Sequence, residues 1–260
     1  MLKSLYTTAT GMKAQQTMVD TIAHNIANVN TAGFKRSQAT FEDLLYVTIQ
    51  APGLIQDNTG TPSPIGLQIG SGSRLSGTTK IYTAGTLEGT NRALDVAIDG
   101  DGFFKVRLQD GTDAYTRDGH LQVNAQGVIV TASGNILEPQ ITLPQDLLDL
   151  SIAPNGQVTG RQASSPNSTA ILGQVNLFKF INPSGLLSRG GNIVMETGAS
   201  GNAIEATPGD QGLGTLRQNF LERSNVEIVN ELVSLIVAQR AYEVNSRAIQ
   251  ASDQMLQVAT

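Results

Sequence analysis

Ser224-Asn225-Val226-Glu227-Ile228-Val229-Asn230-Glu231-Leu232 opens a stretch that runs to Leu256 without a Gly or Pro. Along it a large side chain recurs every seventh residue, at Ile228, Leu235, Tyr242, Ile249 and Leu256, with Leu232, Ala238, Ala241, Ala248 and Met255 beside the same line. A period of seven is a helical seam and not a strand. Ser224 followed three residues later by Glu227 is a capping-box pattern: the hydroxyl accepts an early helix N–H and the carboxylate reaches back to the cap. The helix is therefore predicted to begin there. At about 1.5 Å per residue it is roughly 50 Å long, more than a small domain is wide. It calls for a partner of similar length.

The partner lies at the other end of the chain. Leu2, Leu5, Ala9, Met12, Gln16, Val19, Ala23 and Ile26 alternate spacings of three and four, a heptad seam with one polar position. Gly11 costs about 1 kcal/mol inside a helix, so its presence asks for close packing or local flexibility. This helix is expected to stop near Gly33, which can supply a left-handed C′ residue. Two arrangements fit. In one, an α+β fold, the N- and C-terminal helices pair as a coiled-coil stalk carrying the rest of the chain. Leu5, Met12, Val19 and Ile26, with Ile228, Leu235, Tyr242, Ile249 and Leu256, are then the seam on which subunits pack. In the other, both are ordinary amphipathic helices of one globular core.

The 260 residues suffice for one large or two modest domains. A formal charge of -5 and a pI of about 5.0 offer no basic field for nucleic acid or an anionic membrane. There is no Cys, which excludes disulfides and thiolate chemistry. No apolar run of about 18 residues exists, so no spanning helix is expected. Lys3 is followed by an amphipathic heptad interrupted by Lys13, Gln15, Gln16 and Asp20 in place of a signal-peptide core. Any export is therefore expected to proceed without a cleaved signal. The terminal helices carry uncharged polar faces, with Thr7, Thr8, Thr10, Gln15, Asn245, Ser246 and Gln250 among them. Faces that meet other chains tend to lose charge, and this pattern points to self-association.

Between the helices, residues 41–77 lose periodicity and fill with Gly, Pro, Asn, Thr and Ser. Phe41, Leu44, Leu45, Tyr46, Val47 and Ile49 make the stretch too apolar for a flexible tether. Residues 78–221 switch to a period of two, the signature of an antiparallel β domain. Asp99-Gly100-Asp101-Gly102, Asp110-Gly111, Asp118-Gly119 and Asn155-Gly156 are read as turns between strands, the first as a hairpin, and Leu172–Ile181 as one further strand. The expected division is a helical domain of residues 1–34 and 222–260, an extended linker of residues 35–77, and a β-rich domain of residues 78–221.

Catalytic and metal-binding constellations are thin. Asp99-Gly100-Asp101-Gly102 lacks the remaining ligands of a calcium loop. His24 and His120 are the only histidines, so a zinc site or a Ser–His pair has little to draw on. Gly70-Ser71-Gly72 has no Lys-Ser or Lys-Thr after it and is no phosphate loop. Trp is absent, which removes the usual sugar platform from a two-carboxylate glycosidase. The reading is a structural protein, not an enzyme, with no cofactor and no metal.

Ala23-His24-Asn25-Ile26-Ala27-Asn28-Val29-Asn30-Thr31-Ala32-Gly33-Phe34-Lys35 resembles the N-terminal signature of the bacterial flagellar axial proteins, the family of rod, hook and junction subunits. His24 departs from it. Ile65-Gly66-Leu67-Gln68-Ile69-Gly70-Ser71-Gly72 resembles an insertion that marks the distal rod within this family. Leu94-Asp95-Val96-Ala97-Ile98 to Phe104 also resembles the family, with Ala93 where proline is common. So does Tyr115-Thr116-Arg117-Asp118-Gly119. The segment from Gly212 through Asn225 and Glu231 to Gln239-Arg240-Ala241-Tyr242-Glu243 resembles its C-terminal signature. Asn25, Ala27, Asn28, Thr31, Gly33, Phe34, Lys35, Asn225, Glu231, Gln239, Arg240 and Tyr242 are the positions that carry the match.

The resemblance implies a subunit of a helical tubular drive shaft in the periplasm-spanning basal-body rod, exported by the flagellar type III route, with residues 35–77 as an insertion that bridges subunits and residues 78–221 as an outer domain. It implies as partners further copies of the chain, the proximal rod proteins, hook protein, the rod cap and the basal-body ring proteins, and no membrane insertion. Tyr242 would reach a polar partner across a subunit contact, where a bare sequence reading makes it a core residue. Lys35 and Arg36 are read as solvated end charges that in an assembly pair with Glu227, Glu231 or Glu243 of a neighbour. The competing readings are a proximal rod or hook subunit of the same family and a secreted trimeric adhesin-like binding module.

Overall fold

A computed structural model describes residues 2–51, 65–163 and 168–259. The chain forms two compact units, one of Met1–Ile26, Ser37–Thr79 and Ile228–Thr260, the other of Ala27–Arg36 and Lys80–Glu227. Helix and antiparallel sheet are segregated, as an α+β fold requires.

The first unit holds helix α1 (Leu2–Ala27), strands β1 (Ser37–Asp43), β2 (Val47–Gln50), β3 (Leu67–Ile69) and β4 (Ser73–Lys80), and helix α2 (Ile228–Ala259). β1 neighbours β4, and β2 pairs antiparallel with β3 through Val47↔Ile69 and Thr48↔Gln68. The stretch read as aperiodic, residues 41–77, therefore holds β2 and β3 and parts of β1 and β4. Its most Pro-rich part, residues 52–64, lies outside the described residues. In α1 the hydroxyls of Thr7, Thr8, Thr17 and Thr21 donate to the carbonyls four residues back, and that of Thr10 to the carbonyl of Thr7. Such back-bonding satisfies a threonine-rich helix without a neighbour, so those threonines do not by themselves speak for self-association.

Helix α2 begins at Ile228, four residues later than the capping-box pattern predicts. The Ser224 hydroxyl does accept a backbone N–H, but from Val226 at 3.3 Å and outside the helix. Asn225 holds this segment out of the helix. Its carbonyl oxygen accepts the Arg36 N–H at 2.8 Å, and its amide donates to the Ile81 carbonyl at 2.8 Å. Helix α1 likewise ends at Ala27, ahead of Gly33. Gly33 has φ +67°, yet its N–H donates to the Glu222 carbonyl at 2.8 Å, a strand contact and no helix cap.

The second unit is built on a seven-stranded sheet in the order 187–190, 193–195, 113–116, 104–107, 136–138, 129–131 and 121–123. Every described pairing in it is antiparallel. Strands 147–152, 157–162 and 169–174 form a separate three-stranded sheet, and strand 96–99 pairs with 215–218. Phe104, Val106, Leu121, Ile129, Leu137, Leu177 and Leu216 make up the main core. Phe103, Tyr115, Phe178 and Phe180 form a second cluster with edge-to-face and tilted ring contacts.

Two turn readings hold as hairpins and three strand-level expectations do not. Asp110-Gly111 joins Phe104–Arg107 to Asp113–Thr116, and Asn155-Gly156 joins Leu147–Ile152 to Gln157–Gln162. Asp99-Gly100-Asp101-Gly102 instead links strands of two different sheets, because Val96–Asp99 takes its partner from Thr215–Gln218. Asp118-Gly119 is no hairpin either: the Gly119 carbonyl accepts the Val96 N–H at 3.1 Å. Leu172–Ile181 is divided between strands 169–174 and 177–179, which pair in separate sheets.

Candidate assembly interface

Helix α2 has one buried face and, opposite it, an exposed face that is apolar. On one lie Glu231, Ala238 and Ser252, all buried, with Leu235, Ala241, Asn245 and Ile249 half-buried beside them. On the other lie Val229, Leu232, Val233, Ile236, Val237 and Val244, all exposed; Val229 and Val237 keep 68% and 60% of their surface. At 3.6 residues per turn, Val229, Val233, Ile236 and Val237 fall in one stripe. A soluble helix keeps one apolar stripe; a helix apolar all round is a buried helix. In strands β2 and β3, Val47, Ile49, Leu67 and Ile69 are exposed as well.

The inner face of α2 meets α1 at two places. Asn25 Nδ2 donates to Glu231 Oε2 at 3.4 Å, with both residues buried. The Asn25 amide also pairs in both directions with the backbone of Ser37, each bond 2.8 Å long. Some distance along the helices, Asn245 Nδ2 stands 3.1 Å from where a Cβ on Gly11 would be. Gln16, Val19, Gln239, Tyr242 and Glu243 line a groove between the two helices.

Of the predicted seam residues, Leu5, Met12, Val19, Ile26, Leu235 and Ile249 are half-buried. Ile228 and Tyr242 are exposed at 46% and 44%. The side chain of Leu256 lies outside the described residues. Arg240 is exposed and forms an ion pair with Glu243 at 2.9 Å, a surface contact of small energetic weight.

The second unit contains a buried charge cluster that ties distant parts of the chain together. Glu222 accepts from Lys35 Nζ at 2.6 Å and from Arg117 Nη1 at 3.0 and 3.1 Å on its two oxygens. The Gly85 N–H reaches the same carboxylate at 2.9 Å. Lys35 donates further to the Thr83 carbonyl at 2.7 Å, and Arg117 Nε to the Gly102 carbonyl at 2.9 Å. Burial pulls the Lys35 ammonium below its ordinary pKa, opposed by the attraction of Glu222. Lys35 is thus no solvated end charge. It takes its carboxylate from Glu222 of the same unit, because burial leaves it out of reach of water and demands a partner.

Comparison with known proteins gives these features a context. Residues 5–35 match the family model for flagella basal body rod protein. Residues 97–160 match the flagellar hook protein FlgE/F/G D1 domain, and residues 217–260 the flagellar basal body rod FlgEFG protein C-terminal region. Flagellar basal-body rod protein FlgG of Borreliella burgdorferi is 45% identical, covering 100% of this chain and 98% of its own. The FlgG proteins of Buchnera aphidicola from Acyrthosiphon pisum and of Caulobacter vibrioides are 48% and 44% identical over 99% and 100% of this chain and 98% of theirs. The chain belongs to the flagellar basal-body rod family.

Sequence reading placed the rod-family signature at both ends of the chain, and the structure shows what several of those residues touch. Asn25 and Glu231 meet in the helical unit, while Lys35 and Asn225 anchor strands in the β unit. Two partners went unnoticed. Glu222 and Arg117 lie 105 residues apart and carry no local signal of their contact. The outer stripe of α2 did have one: Val229, Val233, Ile236 and Val237 stand in the sequence beside the seam, and reading one seam concealed the second.

Proposed function

We propose that this chain is a structural subunit of the distal rod of the flagellar basal body, self-assembling into a helical tube that transmits torque to the hook and leaves an export channel through its axis. The observation that supports this best is the double-faced α2. One face is turned to α1 and the apolar face opposite is open, so a single subunit leaves unburied the surface that a second copy covers. Head-to-tail contacts whose rotation does not close a ring give an open helical polymer, the assembly proposed here. The terminal helices pair as a coiled-coil stalk in this reading, supported by the contacts of Asn25 with Glu231 and of Asn245 with Gly11. Residues 35–77 bridge neighbouring subunits, supported by the exposed apolar residues of β2 and β3. Other rod components and the hook are its neighbours, and its role is mechanical and not catalytic.

Electron microscopy of concentrated protein, with light scattering of a dilute sample, tests this. Straight hollow tubes growing from monomers are expected. A discrete particle of fixed size at every concentration, unchanged by rod or hook seeds, would rule out open assembly.

A further inference from the structure

We infer that Asn25 with Glu231, and Gly11 with Asn245, form a two-point lock that selects one register of α2 along α1. The inference rests on the helix pairing proposed above. The two contacts lie fourteen residues apart on each helix and run in opposite directions, from Gly11 to Asn25 and from Asn245 to Glu231. Fourteen residues are two heptads, so both contacts belong to one antiparallel register.

Apolar seams alone do not choose between registers a heptad apart, since every shift of seven lays seam on seam. The polar and small residues do choose. Shifted one heptad one way, Asn25 faces Ala238 and Asn245 faces Met18; shifted the other way, Glu231 faces Met18 and Gly11 faces Ala238. Each alternative takes a buried polar group from its partner and sets it against a methyl or thioether. The native register pairs the amide of Asn25 with the carboxylate of Glu231, and it puts the Asn245 side chain where Gly11 has no Cβ to obstruct it. Buried polar pairs are best attested as devices of this kind, which specify register more than they add stability. Asn25 is itself held by its two bonds to Ser37, so the lock presents a fixed point to α2. Glu231 sits in the first turn of α2, where its charge also suits the helix dipole. In a polymer the register matters because every subunit must offer its outer stripe at the same height.

The absence of Cys from the chain makes the test direct. Spin labels are attached through Asp20→Cys and Arg247→Cys, both exposed positions, in full-length protein diluted into unlabelled polymer. A one-heptad slip displaces the helices by about 10 Å, which changes the separation of these axially offset labels. One narrow distance is expected without further substitution and with Glu231→Gln, which keeps a hydrogen-bonding partner for Asn25. Glu231→Leu with Asn245→Ala removes both polar groups of the lock and is expected to give two or more distances. Glu231→Leu with Ala238→Glu moves the carboxylate one heptad and is expected to give a single displaced distance. An unchanged narrow distance in both of these variants overturns the lock while leaving the helix pairing intact. A broad distribution in the otherwise unsubstituted protein overturns the pairing and the lock together.

Discussion

Lys35 Nζ stands 2.6 Å from Glu222 Oε1, with side chains 2% and 1% exposed, and Arg117 Nη1 reaches the same oxygen at 3.0 Å. Two cations share one anion. Removing the anion is therefore worse than removing either cation. Glu222→Leu leaves Lys35 and Arg117 facing each other in a dry site, and a destabilisation of about 3–5 kcal/mol is expected. Lys35→Met leaves Arg117 Nη1 on both carboxylate oxygens, with a loss of about 1.5–3 kcal/mol. Urea unfolding followed by near-ultraviolet circular dichroism ranks them; equal losses would contradict this account.

Lys35 also makes a signed pH prediction. Its pKa in the folded unit lies below the ordinary 10.5, chiefly through burial and against the pull of Glu222. Between the lowered value and 10.5 the unfolded chain holds more protons at this site than the folded one, so the Lys35 contribution to stability rises with pH in that window. The stability advantage of the unsubstituted protein over Lys35→Met is expected to widen as pH climbs toward 10.5. A constant or shrinking difference would sink the assignment.

The Tyr82 hydroxyl is buried without a hydrogen-bond partner, while its ring packs edge-on against Phe103 at 5.3 Å. Tyr82→Phe keeps the ring and removes the stranded oxygen, so a gain of about 1 kcal/mol at neutral pH is expected. Burial raises the Tyr82 pKa to about 12, against a smaller lowering by Arg117. Above the ordinary value of 10.0 the unfolded chain ionises first, and stability falls as pH rises toward 12. Tyr82→Phe is expected to lose that share of the alkaline decline. Thermal melts at neutral pH and at two alkaline values check both parts, and a destabilised variant at neutral pH refutes the first.

Gly33→Ala tests a close approach that helix-cap logic misplaced. A Cβ there would meet the Asp118 backbone N at 2.7 Å and the Arg117 carbonyl carbon at 2.8 Å, and φ is +67°. Backbone atoms cannot rotate aside, so a cost above the usual 1–2 kcal/mol for a left-handed non-Gly residue is expected. The readout is the denaturant midpoint of the β unit. A change within about 0.5 kcal/mol would show that the segments separate freely.

These positions mark where sequence reading reached its limit. Heptads revealed both helices because a period of seven is local and long. The bulky line is Ile228–Leu235–Tyr242–Ile249, yet among the described residues of α2 the most deeply buried are Glu231, Ala238 and Ser252. Hydrophobic periodicity weighs bulk, whereas these sites favour small size and matched polarity. The start of α2 was misplaced because Asn225 bonds to residues 144 and 189 positions away. The β domain's turns were legible and its sheet partners were not. Asp99-Gly100 looks like any hairpin tip until Thr215–Gln218 is found pairing with the strand before it.

Substitutions on the outer stripe of α2 are expected to separate assembly from folding. Val233→Asp or Ile236→Asp places a charge where each side chain is already 55% exposed, so the monomer loses little. In an assembled rod the same carboxylate would be desolvated without a partner, at a cost of several kcal/mol. Loss of polymer with an unchanged melting transition of the β unit is expected. Leu235→Asp or Ile249→Asp, on the half-buried side, is expected to disturb helix content as well. Polymerisation of Val233→Asp at the normal critical concentration would remove the stripe from the interface.

Residues 46–70 provide the test of stiffness. Exposed Val47, Ile49, Leu67 and Ile69 lie on a hairpin of two short strands, and an isolated two-stranded hairpin is marginal in water without something to pack on. If neighbouring subunits supply that surface, each hairpin adds a link between copies beyond the helical contacts. Deleting residues 46–70 then leaves the helices to polymerise but removes the link, so the polymer is expected to form and to bend more. Persistence length measured from electron micrographs decides the matter. A clear fall supports bridging, and an equally straight, stiff polymer assigns stiffness to the helices alone.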